Sequence, residues 1–104
     1  MVDERRMELQ TKLIALLGSK NVYFQPPESV KMKYPAIVYN LERGDSEYAN
    51  NKTYLLRKRY SVTVIDKDPD ANWPELVTYA FDYCSFERWY AADNLNHWQF
   101  SLYW

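Results

Sequence analysis

The chain has 104 residues, 47% of them apolar and 26% charged, which fits one globular domain and excludes a disordered tail. Its 13 Lys and Arg against 14 Asp and Glu give a formal net charge of -1, too little to gather nucleic acid from a distance. Cys84 is the sole cysteine, so no intrachain disulfide is available, and no apolar run nears the roughly 20 residues of a membrane helix. The expectation is a single domain over 1–104, made in the cytoplasm without export.

Asp3 is placed to cap a first helix in which Leu9, Leu13, Leu16 and Leu17 recur at helical spacing and Gly18 terminates the turn. Arg5, Glu8 and Lys12 mark its wet face. Residues 21–24 read as a short strand stopped by Pro26 and Pro27, which have no amide donors. Residues 36–42 form a second strand, with Ile37, Tyr39 and Leu41 on one side and Val38 and Asn40 on the other. The polar stretch 43–53 holds Gly44, Asp45, Asn50 and Asn51 and reads as a long loop or hairpin tip.

Residues 54–65 give the longest strand, with Tyr54, Leu56, Tyr60, Val62 and Val64 on one face and Arg57, Arg59, Ser61 and Thr63 on the other. A turn over 66–72 leads into a short helix, where Asn72 and Glu75 fit a capping box, Pro74 sits in the first turn, and Leu76, Val77 and Ala80 form the apolar stripe. A hairpin closes the chain. Its arms are 84–91 and 97–104, with Asp93, Asn94 and Asn96 in the turn and Trp98, Phe100, Leu102 and Trp104 on one side. The predicted order is α-β-β-β-α-β-β, an α+β fold in which two helices cover one face of a mainly antiparallel sheet of about five strands.

The 4 Trp, 10 Tyr and 4 Phe are many for this length. A domain of this size buries only about two-thirds of its unfolded surface, so some rings stay near solvent, where aromatics favour interfaces. A Tyr-rich sheet is the equally weighted alternative.

Little of the sequence suggests chemistry. Asp66, Asp68 and Asp70 alternate like the opening of a calcium loop, but Ala71 and Val77 stand where that loop needs Gly and Glu, so a solvated turn is favoured over a metal site. His97 falls on a polar strand face with nothing to fix it against Cys84 or a serine, and Cys84 reads as a buried core thiol in a reducing compartment. With only Gly18 and Gly44, no glycine-rich phosphate cradle can form. Arg57, Lys58 and Arg59 are the one basic cluster, most simply a solvated face. No catalytic, cofactor or metal signature emerges, and an enzyme is not expected.

Three segments do point to a family. VYFQPPESVKMKYPAIVYNL, RYSVTVIDKDPD and CSFERWYAADNLNHWQFSLYW resemble small proteins encoded among the head and tail genes of phages and prophages of Gram-positive bacteria, relatives of the siphophage tail terminator, also called the tail completion or tail-to-head joining protein. The resemblance covers nearly everything after Asn21. It implies a virion protein of the tail and neck that forms a hexameric ring on the tail tube, contacts the major tail protein, and offers a surface to the head connector. DNA could pass through such a ring without specific recognition.

For that role the candidate partner or subunit contacts are Tyr48, Asn50 and Asn51 in the polar loop, Arg57 and Arg59 on the strand, and Asp93 and Asn94 at the hairpin turn, since loops on a rigid sheet can be shaped to partners. The alternatives are another neck component, such as a head-completion or stopper protein, and a nucleic-acid-binding module using aromatic strands with Arg57 and Arg59. A metal enzyme built on the three aspartates ranks third.

Overall fold

The computed structural model describes residues 4–27, 30–42 and 58–104. The expectations placed on Asp3, on the 43–53 loop with Tyr48, Asn50 and Asn51, on the 54–57 strand start and on Arg57 lie outside the described residues. Among the described residues, two helices and five strands follow in the order expected: α1 (Glu4–Leu17), β1 (Val22–Phe24), β2 (Ala36–Leu41), β3 (Arg59–Asp66), α2 (Trp73–Ala80), β4 (Cys84–Ala92) and β5 (Leu95–Tyr103). The fold is α+β. The sheet runs β1-β2-β3-β5-β4, and only β1 against β2 is parallel.

Strand register stacks the core in rows. Val22, Ile37, Val64 and Trp98 form one, Phe24, Tyr39, Val62 and Phe100 the next, and Tyr60 and Leu102 the third, which Leu41 continues into solvent. Leu9 and Leu13 of α1 and Trp73 and Val77 of α2 press on these rows in one buried cluster. Burying a large apolar side chain contributes about 1.5–3 kcal/mol, so these rows supply most of the drive to fold.

Polar bonds fix α1 on β1 and β2. Gln10 Nε2 donates to the Val22 carbonyl at 3.1 Å, the buried Tyr39 hydroxyl donates to Gln10 Oε1, and Arg6 Nη1 donates to that hydroxyl at 3.2 Å. Burial pushes the Tyr39 hydroxyl above its ordinary pKa, while the Arg6 hydrogen bond and charge pull the other way. Gly18, at φ 80, ends α1 as expected, and its amide donates to the Ile14 carbonyl at 2.9 Å. Beyond β1 the prolines take over, yet the Gln25 side chain carries the pairing one step further by accepting the Leu41 amide at 3.1 Å.

Three local expectations need correction. The Asn72 side chain makes no cap to the backbone; its Nδ2 donates instead to Glu75 Oε2 at 3.0 Å. Pro74 occupies the second helical position and has no amide to offer a cap. In α2 the buried residues are Trp73 and Val77, while Leu76 faces solvent. Asn96 is not in the turn but buried in β5, with Nδ2 reaching the carbonyls of Asp66 at 3.3 Å and Lys67 at 3.4 Å.

The turn needs only Asp93 and Asn94. Their φ values of 54 and 63 match the two-residue turn whose twist suits a hairpin and which favours Asn, Asp and Gly. Asn94→Ala therefore destabilises the fold by about 1–2 kcal/mol, whereas Asn94→Gly leaves thermal unfolding unchanged or slightly raised.

Candidate assembly surface

The residues first suspected of chemistry are held apart or occupied. Cys84 pairs with Leu102 on the helix-covered side, while His97 pairs with Tyr90 on the other, so the register keeps thiol and imidazole on opposite faces. The His97 ring stacks on Tyr90 at 4.6 Å and 10°, and its Nδ1 is buried with no hydrogen-bond partner. In the aspartate turn, Asp66 Oδ1 accepts the Asp68 amide at 3.1 Å, Asp68 Oδ1 accepts the Asp70 amide at 2.9 Å, and Asp66 Oδ2 accepts the Trp73 indole N–H at 2.9 Å. Among the described residues no three His, Cys, Asp or Glu side chains are grouped to hold a metal ion.

Arg59 turns inward to its own chain. Its Nε lies 2.7 Å from Glu42 Oε2 and donates to Ser101 Oγ at 2.9 Å. On the same sheet face Arg88 Nε donates to Gln99 Oε1 at 2.8 Å, and its guanidinium lies 4.9 Å from the Tyr90 ring. Both arginines are thus partly occupied by this polar face, as expected when long side chains cover a sheet.

The opposite arrangement holds at β4, one of the two edge strands of the sheet among the described residues. Seven of its nine positions are exposed. A register shift between Phe86 and Arg88 inserts one extra residue opposite β5. Such a bulge alters which way the following side chains point. Phe86 pairs with Phe100 and Trp89 with Trp98, so both rings lie on the helix-covered side although they are three residues apart. Phe86 rests against Phe100 at 5.3 Å between centroids, while Trp89 is 52% exposed.

Helix α2, which packs beside β4, adds exposed apolar side chains of its own. Tyr79 is 88% exposed, and Leu76 and Tyr83 are also exposed. Exposed large apolar side chains and a strand edge without a neighbour among the described residues are the material from which interfaces are built, because rings and backbone groups both gain from being covered. The sequence signal was the aromatic excess itself. Strict alternation along 84–91 places Phe86 and Trp89 on opposite faces, which hid the cluster.

Cys84 is half-buried rather than fully buried as expected, at the inner end of this strand. Burial first, and the Glu87 carboxylate second, push its thiol up from the ordinary 9.0 to about 11. The neutral thiol is the form the fold favours, so this contribution to stability is intact below about pH 9 and is lost as pH rises towards 11. Iodoacetamide labelling of the folded chain should keep accelerating up to about pH 11 and level off near pH 9 once urea unfolds it.

The chain matches no protein-family model, and no curated protein aligns with it significantly.

Proposed function

We propose that this chain is a structural subunit of a bacteriophage particle, acting at the head–tail junction as a tail-terminator-like ring component that closes the tail tube and meets the head connector. The observation that carries this reading is the apolar exposure of β4 and α2, with Phe86 and Trp89 on the edge strand and Tyr79 on the helix all partly or largely in solvent. Such a surface suits a protein whose work is to be gripped by neighbours, and interface cores are rich in these rings. The segments that resemble joining proteins contain all five strands of the sheet and the edge itself.

The test is particle composition. Phage induced from a strain carrying the gene should contain the chain by mass spectrometry, on isolated tails rather than isolated heads. The double variant Tyr79→Ser with Trp89→Lys should retain its circular dichroism spectrum, since substitutions at exposed positions usually change stability by about 0.5 kcal/mol or less. It should nevertheless drop out of particles and reduce infectious titre. Purified particles that lack the wild-type chain refute the proposal, and decoration of heads alone assigns it to the head side of the neck.

A further inference from the structure

In a regular strand, positions three apart point to opposite faces. At β4 the extra residue changes this. Phe86 and Trp89 share the helix-covered face through their pairing with Phe100 and Trp98, while Arg88, opposite Gln99, points to the polar face. Glu87 turns the same way as Arg88: its Oε1 accepts the hydroxyl of Ser85, whose backbone pairs with Ser101. From Phe86 to Trp89 the strand therefore reads aromatic, acid, base, aromatic, with rings on one face and charges on the other.

That pattern is complementary to itself. A two-fold rotation about an axis perpendicular to the sheet reverses strand direction and preserves both faces, and such an interface is closed. Applied between Glu87 and Arg88, it sets Phe86 against Trp89 of a second copy on the helix-covered face. On the polar face it sets Glu87 against Arg88 of that copy, and the mirror pairs repeat both contacts. Without the bulge these faces could not match, because directly opposed residues must lie on the same side of a sheet. Neither Glu87 nor Arg88 has an ion pair within its own chain among the described residues.

The geometry points to a second copy of this chain as the occupant of the β4 edge: two β4 strands pair antiparallel about the Glu87–Arg88 junction and join two five-stranded sheets into one. Opposite charges and opposed aromatic rings both favour this register over a slipped one. Continuing outward, Ser85 meets Tyr90 and Cys84 meets Ala91 of the other copy. Cys84 and Ala91 lie on the same face, opposite Leu102 and Asn96. Directly opposed Cα atoms in such a ladder are about 4.5–5.5 Å apart, within the span of a disulfide.

The pairing does not depend on the virion reading. It is tested on the purified chain by sedimentation and by cross-linking. The wild type should be a dimer at micromolar concentration, and Glu87→Arg or Arg88→Glu alone should weaken it about tenfold or more while circular dichroism stays unchanged. Mixing those two variants should restore a heterodimer, because every opposed pair is again of opposite sign. Ala91→Cys should give a covalent dimer on mild oxidation, and adding Cys84→Ser should abolish it. A wild type that stays monomeric, a dimer indifferent to both charge changes, or equal cross-linking with and without Cys84 overturns the proposal. A dimer absent from phage particles would sink the virion reading alone, and a monomer that enters particles would sink this pairing alone.

Discussion

Phe100→Ala is expected to lower the unfolding free energy by about 3–5 kcal/mol, the range for emptying a large aromatic site in a packed core. Phe100 is fully buried on β5, between Val62 and Phe86 in the register. Backbone pairing on both sides holds the strand in place, so the surroundings cannot close over the gap. Small domains have only about 5–15 kcal/mol in reserve, and each kcal/mol moves the midpoint of a domain near this size by about 4–8 °C. The thermal midpoint should therefore fall by roughly 12 °C or more. A change of less than about 1 kcal/mol would mean that Phe100 is not packed as described.

Trp73→Ala should cost a comparable amount, about 3–5 kcal/mol, for two separable reasons. The indole is buried at the start of α2, and its N–H donates to Asp66 Oδ2 at 2.9 Å, fastening the helix to the end of β3. Trp73→Phe keeps most of the burial and removes the donor, so its cost should be about 1.5–3 kcal/mol, as for hydrogen bonds to charged groups. Urea midpoints should shift with little change in slope, since the surface exposed on unfolding is nearly the same. In an Asp66→Asn background the Trp73→Phe penalty should shrink, which isolates the bond itself.

The sequence made the order of elements legible because each depends on short-range chemistry. Gly18 closes α1, the Pro26–Pro27 pair stops β1, and alternation from Tyr60 to Val64 separates a buried face from a polar one. What escaped were features set by contacts between distant parts of the chain. The parallel direction of β1 is fixed by pairing Val22 to Ile37 across a connection with no hairpin signal. Asn96 looked like a turn residue, but the carbonyls of Asp66 and Lys67 offer its amide partners inside the fold. Trp73, too, looked unremarkable until Asp66 met its indole.

The candidate surface was legible only in part. Of the candidate contacts, Arg59 lies against Glu42 and Ser101 of its own chain, while Asp93 and Asn94 form the hairpin turn through their backbone angles and are exposed there. The exposed rings of β4 were unreadable from alternation because one inserted residue reverses parity at Glu87. A bulge has no single-residue signature, so only the partner strand reveals it.

The two margins of the sheet are unequal. β4 offers nine residues, whereas β1 offers three and runs at once into Gln25 and two prolines. Proline cannot donate to an added strand, so that side gives an incoming backbone almost nothing to bond. Among the described residues, strand addition is therefore open at one margin only, and growth from both sides, which an endless fibre requires, has no second edge to use.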